Sequence, residues 1–403
     1  MEKEKLVSKK ESYSVNVTAG KADSLRKIVT SFTTVRAYDG GFIGISGGMG
    51  KVDTGKLEKD AEAALARKIP YPCNLFADKQ SVDETKEIVA PEKFVSACSS
   101  LLARIEKELP ACTASNKISL EYSKHEYTNS KGAELNYAGN NMTVALSFKD
   151  KKSANIMDFF YGSYGNTYSE DDCVSDCKTL GEAFLNKVEL PSESLPVAFD
   201  SGTVPMMLLG DMIAENYCMG AGKLAGKLNQ KLFSEKLTLA VKRGLYKHVS
   251  ERFYDDEGVT DCFYKLINRG EFKGILTNKR SAAMFKFPLS SSAAAPTFDA
   301  VPSYGGAGLR VLPTAAKVTD IARDFIYVAT TSGGDVAPDG KVGLPIQLAY
   351  LVEGGKIVGK LPEMNLSANI FDLLGDGYLG TAKNDLLRGN VDALDIFDAK
   401  VRA

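Results

Sequence analysis

Two carboxylates are the clearest candidates for chemistry in this 403-residue chain: Asp211 and Glu215, four positions apart in an apolar run. On a regular α-helix this spacing places both side chains on one face. Paired carboxylates can act as acid and base, or bind a hard cation of the Mg²⁺ or Ca²⁺ type. The same pair can also be the edge of a packed helix that faces solvent or a partner subunit. The sequence favours this structural interpretation, because like charges at that spacing cost only a few tenths of a kcal/mol.

The histidines and cysteines are weak candidates for catalysis or metal binding. His125 and His248 are the only histidines, and neither belongs to a His-x-x-x-His or His-Glu-x-x-His run, so the sequence has no local imidazole pair for zinc. His125 lies in a charged strand pattern and is predicted to be a surface residue, and His248 has no evident Ser or Asp partner. Cys173 and Cys177 stand four apart in a helical pattern, where cysteines usually pack as small apolar residues.

Two glycine-rich stretches resemble nucleotide-binding loops but fail the physical requirements. In 41–51 the phosphate-loop spacing would place Ile45 at the first glycine and Val52 at the hydroxyl that binds Mg²⁺. Residues 220–225 fit the dinucleotide pattern in form. They follow a predicted helix, however, whereas that pattern needs a preceding strand to deliver backbone amides to the pyrophosphate. A close-packed backbone turn is the favoured interpretation of 220–225.

The elements that would position these residues fall into two parts. In the first, alternating apolar residues predict a strand pair over 28–50 and an antiparallel meander over 118–148. Strong helix formers and flanking prolines predict three helices, over 54–68, 91–109 and 170–188. The sequence therefore predicts an N-terminal domain, 1–190, of helices and antiparallel sheet.

A Pro- and Ser-containing linker at 190–196 leads to a strand-rich second domain, 197–403, so the fold class is predicted to be α+β. The pattern of residues 205–219 predicts an apolar helix that carries the two carboxylates. A second helix is predicted over 259–269. The low-complexity segment 290–296 is predicted to be a mobile loop.

The order of several segments in the second half resembles the TldD/PmbA family, once called modulators of DNA gyrase, which includes two-subunit metallopeptidases. The segments that carry this resemblance are Val197–Gly220, Lys227–Ser234, Asp255–Gly258, Leu266–Ala282, Ser332–Val336, Leu351–Gly359 and Ile370–Leu374. Each match is weak, and their shared order makes the resemblance specific. It covers most of 190–380, with a looser match over 28–70.

The departures from the family pattern matter more than the matches. Catalytic members carry His-Glu-x-x-x-His on a helix, and a late cysteine completes the metal shell. In this sequence those positions fall on Gly210, Asp211 and Glu215, with Val336 in place of the cysteine. Glycine and valine have no ligating side chain, and zinc needs three or four N, S or O donors. The resemblance therefore implies a chain with no metal or cofactor of its own and no catalytic residues at these positions. Without a metal to hold a widened turn, residues 208–217 are predicted to relax toward regular α-helix.

This pattern resembles the non-catalytic, TldE (PmbA) kind of subunit. The resemblance implies a TldD-like partner that holds zinc, and a shared activity on peptides bound as an added strand. A homodimer in the absence of that partner is possible. Two alternatives stay open: an autonomous hydrolase that uses Asp211 and Glu215, or a stand-alone binding protein linked to DNA gyrase modulation.

The composition limits which classes of protein and which cellular compartments are plausible for this chain. Fifty basic against 51 acidic residues give a net charge of −1, which argues against nucleic-acid binding, because phosphate-driven affinity needs clustered cations. No apolar run is long enough for a membrane span, and the charged N-terminal segment lacks a secretory pattern. Seven widely spaced cysteines do not form a disulfide framework. We therefore expect a cytoplasmic protein with no membrane partner.

Overall fold

The computed structural model describes residues 1–261, 263–305, 308–389 and 393–402. Strands and short helices over this part of the chain confirm the predicted α+β class. The strands of the first half are β1 (Glu2–Thr18), β2 (Lys21–Asp39), β3 (Phe42–Met49), β4 (Ile69–Pro70), β5 (Lys79–Glu84), β6 (Cys112–Asn129), β7 (Glu134–Asp150) and β8 (Phe159–Gly165). The helices are α1 (Thr54–Ala64), α2 (Phe94–Glu108), α3 (Glu170–Leu185), α4 (Ala214–Cys218), α5 (Lys279–Phe285) and α6 (Ile370–Leu374).

Most of the regular structure of the second half is β-strand, as predicted. They are β9 (Val197–Asp200), β10 (Leu239–Lys242), β11 (Phe263–Asn268), β12 (Glu271–Phe272), β13 (Ala293–Ala294), β14 (Ser303–Tyr304), β15 (Leu309–Val311), β16 (Phe325–Thr331), β17 (Asp335–Val336), β18 (Lys341–Glu353), β19 (Lys356–Lys360), β20 (Met364–Asn369), β21 (Tyr378–Lys383), β22 (Ala393–Phe397) and β23 (Val401–Arg402). Within the described ranges, four 3-10 helices cover Leu65–Arg67, Pro91–Lys93, Pro205–Met212 and Val318–Asp320.

An eight-stranded sheet, here called the N-sheet, holds the first half together in the order β4-β3-β2-β1-β6-β7-β5, with β8 on β7. The long central strands β1, β2, β6 and β7 are antiparallel. Strand β1 was missed in the sequence, because its many charged residues hide the alternation. Gly40 and Gly41 have φ of +54° and +84°, as the predicted tight turn between β2 and β3 requires.

A nine-stranded sheet, the C-sheet, has the order β21-β22-β9-β16-β18-β20-β23, with β17 and β19 on β18. Sheet membership changes at the predicted linker, 190–196. One apolar core nevertheless crosses it: Ile118 and Leu146 of the N-sheet share a cluster with Tyr327 and Tyr350 of the C-sheet. The division into two domains, 1–190 and 197–403, stays a prediction.

The fold corrects two predictions for the second half. Residues 263–268 form strand β11 and not a helix, because Leu266 and Ile267 are buried where β11 pairs with β10 and β12; residue 262 lies outside the described part. The segment 290–296, predicted as a mobile loop, is packed into the protein interior over its first residues. Ser290, Ser291 and Ser292 are at most 1% exposed, and the Ser290 hydroxyl donates to the Thr277 carbonyl oxygen at 2.9 Å.

The first-half helices are confirmed with shifted ends. Helix α1 begins after Asp53, whose Oδ1 accepts the Lys56 N–H at 3.2 Å. Helix α2 buries an apolar face that includes Phe94, Leu101 and Ile105. Across the described residues, no helix combines the length and the apolar character that spanning a bilayer requires.

Candidate functional site

The segment that carries Asp211 and Glu215 is two short helices and not one. The 3-10 helix Pro205–Met212 ends at Ile213, whose φ of −76° and ψ of 134° are extended, and α4 begins at the next residue. Ile213 pairs with Leu276 as an isolated parallel bridge. The Leu276 N–H donates to the Met212 carbonyl oxygen at 2.7 Å, and the Ala214 N–H donates to the Leu276 carbonyl oxygen at 3.1 Å.

These two backbone bonds replace the helical bonds that a continuous turn would make. The predicted helix over 205–219 and the predicted relaxation of 208–217 to regular α-helix are therefore both wrong. Val204, Leu208, Met212 and Ala214 are fully buried in the C-terminal core. The apolar pattern was interpreted correctly as buried, and the strand-like pairing with Leu276 determines its geometry.

Asp211 is 8% exposed and its carboxylate already has partners. Oδ1 accepts the backbone N–H of Lys223 at 3.0 Å, and the Lys223 Nζ lies 3.3 Å from Oδ2. A Cβ on Gly222 would lie 2.2 Å from Oδ1, so only glycine permits this approach. The prediction of a close-packed backbone turn at 220–225 is confirmed, and its role is to enclose the Asp211 carboxylate.

Glu215 has a different partner. The hydroxyl of Tyr304, 89 residues further along the chain, donates a hydrogen bond to its Oε2. The neighbouring Asn216 donates through Nδ2 to the carbonyl oxygen of Gly210 at 2.8 Å, which links the two sides of the break. The two carboxylates thus belong to separate elements and hold separate partners, so they do not share one helical face.

Val336 lies on β17, which pairs with β18 through Asp335↔Gly343 and Val336↔Val342. Its side chain packs, partly buried, against the same core that receives Met206 and Ile213. The four family positions therefore present a glycine, a valine and two carboxylates that are already bonded. This donor set does not fit a zinc ion, which needs three or four N, S or O ligands. Within the described ranges, no group of three His, Cys, Asp or Glu residues is placed to hold a metal.

The paired cysteines of α3 are packed in the core. Cys173 and Cys177 are 2% and 0% exposed, and burial raises the pKa of the Cys173 thiol to about 11. A thiol held neutral at physiological pH is a poor nucleophile and a poor metal ligand. His248 is half-buried, and its carbonyl oxygen accepts the N–H of Asn166 at 2.6 Å.

A second candidate site was missed in the sequence: a cleft of about 750 Å³ between one face of the N-sheet and the segments 243–256 and 295–298. His125 lies in it, half-buried, so the prediction of a surface histidine is wrong. Burial, with a further contribution from the Arg252 guanidinium, lowers the pKa of His125 to about 4, against a smaller opposite effect of Asp256. The covering residues are more than 100 positions away, so the local sequence gave no signal.

We expect His125 to stay neutral down to pH of about 4, whereas an exposed histidine titrates near 6.5. The unfolded chain then binds more protons than the native state between these values, so the free energy of unfolding falls as pH falls through this window. ¹H NMR of the two imidazoles checks the pKa, with the variant His125→Gln to assign the signals. Urea unfolding at pH 7 and pH 5 checks the stability. A titration of His125 near 6.5 would contradict this prediction.

Comparison with known proteins extends these observations. Residues 192–389 match the PmbA/TldA metallopeptidase C-terminal domain family. A metalloprotease from Archaeoglobus fulgidus is 21% identical over 397 residues, which cover 92% of this chain and 89% of that protein. TldE from Thermococcus kodakarensis has a TM-score of 0.78 at 15% identity, with 100% of this chain and 97% of that chain covered. A proposed modulator of a DNA gyrase from Thermotoga maritima has a TM-score of 0.74 at 14% identity, with 100% and 96% covered.

At these identities the solved structures show a shared fold, so the molecule is an α+β protein with the architecture of the TldE structure over its whole length. The family match covers the part that contains Gly210, Asp211, Glu215 and Val336. The resemblance found in the sequence is thereby confirmed: residues 192–389 belong to the PmbA/TldA metallopeptidase C-terminal domain family, and the chain as a whole shares the fold of the TldE structure.

Proposed function

We propose that this chain is a non-catalytic, TldE-like subunit of a cytoplasmic two-component metallopeptidase. Its partner is a TldD-like chain that carries the intact His-Glu-x-x-x-His motif and holds the zinc. The observation that carries this proposal is the chemistry of the four family positions. Gly210 and Val336 have no donor, Asp211 bonds to Lys223, and Glu215 accepts from Tyr304. A protein that keeps the scaffold without the ligands is suited to complete a partner and not to cleave alone.

The proposal includes peptide binding by strand addition, which requires an unpaired sheet edge. Strand β2 supplies such an edge. Residues 32–39 pair with β3, whereas 21–30 pair, among the described residues, only with β1. Leu25 and Val29 are 49% and 67% exposed there. Lys27 is paired with Glu11, so Lys21 and Arg26 against Asp23 leave this edge only slightly positive. An extended acidic or uncharged peptide suits these features, because backbone bonds supply affinity with little dependence on sequence.

Co-expression with a homologue that carries His-Glu-x-x-x-His tests the pairing. We expect a one-to-one complex that cleaves unstructured peptides and contains about one zinc per pair, whereas this chain alone does neither. Replacing the motif glutamate of the partner by glutamine should abolish turnover, because that residue is the expected general base. The readouts are co-purification through a tag on this chain, peptide cleavage and elemental analysis.

The matched control is the double variant Asp211→Asn/Glu215→Gln in this chain, which should leave kcat within about two-fold. Loss of turnover in that variant, or peptide cleavage by this chain alone, would favour the autonomous hydrolase instead. Two chains that stay monomeric and inert after co-expression would overturn the pairing itself.

A further inference from the structure

The cleft around His125 has the volume and the lining of a small-molecule binding site. Its volume of about 750 Å³ falls in the range of small-molecule pockets. None of the four family positions, Gly210, Asp211, Glu215 or Val336, lines it. The cleft is therefore separate from the degenerate metal motif, and its lining has to be explained by other chemistry.

The floor of the cleft is one row of side chains across four strands of the N-sheet. Ser8 of β1 is paired with Phe32 of β2 on one side and with His125 of β6 on the other. His125 is paired in turn with Tyr137 of β7. Residues paired across a sheet project from the same face, and all four line the cleft. The His125 and Tyr137 rings lie with centroids 6.2 Å apart, so the floor is largely aromatic.

The opposite wall is also aromatic. Phe298 stacks on Phe32 with centroids 5.3 Å apart and an interplanar angle of 18°. The Thr34 hydroxyl donates to the Phe298 carbonyl oxygen and holds this segment against the sheet. Tyr254 lines the same side, with the Arg252 guanidinium 4.9 Å from its ring centroid. A flat apolar group can therefore lie against rings within the cleft.

The polar lining has unused hydrogen-bond donors. Arg36 is 1% exposed, and its Nη1 donates to Glu4 Oε1 at 2.7 Å and to the Asp256 carbonyl oxygen at 2.6 Å. Its buried Nε has no partner among the described residues. Arg252 donates through Nε to the Tyr254 carbonyl oxygen and through Nη2 to Asp256, and its Nη1 has no acceptor among the residues that the structure describes. An unpaired donor on a buried guanidinium is costly, so this lining favours a ligand that accepts hydrogen bonds.

The acidic groups of the lining have cationic partners of their own. Glu121 pairs with Lys10, Glu126 lies 4.0 Å from Lys9, and Glu251 lies 3.5 Å from Arg310. The remaining carboxylate, Asp256, is held by Arg252. The His125 imidazole makes no hydrogen bond within the described part of the chain, and its burial, together with the nearby Arg252, keeps it neutral near pH 7. The cleft thus offers donors and rings, with its negative charges already balanced.

We propose that this cleft binds a small aromatic carboxylate, with the carboxylate toward Arg36 and Arg252 and the ring beside the stacked Phe298–Phe32 pair, against the His125 and Tyr137 rings. Arginine is suited to this role, because its planar fork of donors matches the carboxylate geometry. Two sources share this chemistry: the C-terminal end of a short peptide, and a free aromatic acid.

Calorimetric titration of the full chain with N-acetyl-phenylalanine tests this proposal. We expect a dissociation constant below about 1 mM, and binding at least about ten-fold weaker for both N-acetyl-phenylalaninamide and N-acetyl-alanine. If 3-phenylpropanoate binds as tightly as N-acetyl-phenylalanine, the amide contributes nothing and the ligand is a free aromatic acid. Tighter binding of N-acetyl-phenylalanine identifies a peptide C-terminus.

The site itself is tested by two further measurements. Phe298→Ala should weaken binding by about five-fold or more, whereas Phe160→Ala, an exposed ring on β8 outside the cleft, should have no effect. In ¹H NMR the imidazole signals of His125 should shift on titration while those of His248 stay in place. Equal binding of acid and amide, no detectable binding, or a shift at His248 alone would each overturn the proposal.

Discussion

Replacing Arg36 by methionine is expected to lower the free energy of unfolding by about 3–5 kcal/mol, because it leaves the Glu4 carboxylate buried without its cation. Both side chains are at most 1% exposed, and Nη1 lies 2.7 Å from Glu4 Oε1. The pKa of Arg36 is raised, although its desolvation alone would lower it, because Glu4 compensates the buried charge. The same Nη1 bonds to the Asp256 carbonyl oxygen, so the substitution also removes a contact between the two halves.

Urea unfolding measures this effect as a change in midpoint at constant slope. The matched control is Lys79→Met, which removes the cation of the exposed pair Lys79–Glu134 and should cost at most about 1 kcal/mol. The double variant Glu4→Gln/Arg36→Met should recover part of the loss, because no unpaired charge then remains buried. A loss below about 1 kcal/mol for Arg36→Met would show that Tyr38 and Tyr127, which both donate to Glu4 at 2.8 Å, stabilise the carboxylate alone.

The substitution Gly44→Ala is expected to cost about 3 kcal/mol, at the upper end of what overpacking usually costs. A Cβ at residue 44 would lie 2.0 Å from the carbonyl oxygen of Ala61 and 2.7 Å from the amide nitrogen of Leu65. Both are backbone atoms, of α1 and of the turn that follows, so no side-chain rotation can relieve the clash. Helix α1 would have to move away from β3, and the small core that contains Leu57 and Ala61 would loosen.

Gly343→Ala is the matched control, because Gly343 also lies within a strand and an added Cβ there would meet no atom within 4 Å. Its effect should stay within about 0.5 kcal/mol. Urea unfolding compares the two variants, and limited proteolysis across 54–64 reports whether α1 has separated. Equal stability of the two variants would mean that α1 adjusts to the added methyl group without loss of packing.

The fold class was predictable from the sequence because its signals are local. Alternation such as Ile118, Leu120 and Tyr122 and the prolines that end helices act over a few residues, and they identified the meander, three helices and the linker. Strand β1 was missed because an interior strand of a sheet with one wet face can be rich in Lys and Glu. The predicted helices over 205–219 and 259–269 failed for another reason. Their helical propensity is overridden by pairing with Leu276 in one case and with β10 and β12 in the other.

The candidate site was predictable only in its residue types. Gly210 and Val336 lack donors whatever the fold, so their chemistry follows from the sequence alone. The hydrogen-bond partners of the two carboxylates, in contrast, cannot be predicted from the sequence. Tyr304 reaches Glu215 across 89 residues, and the residues that cover His125 lie between 243 and 298. Such contacts depend on the tertiary arrangement, and no local pattern encodes them.

The apolar cluster that crosses from the N-sheet to the C-sheet has a consequence for how this protein can be divided. Ile118 and Leu146 on one side, and Tyr327 and Tyr350 on the other, are at most 5% exposed and belong to one cluster to which both halves contribute. Cleavage of the polypeptide at 190–196 would leave two fragments, each with a large exposed apolar surface. Such fragments would self-associate before reaching a native state, so expression and crystallography of this molecule call for the intact polypeptide.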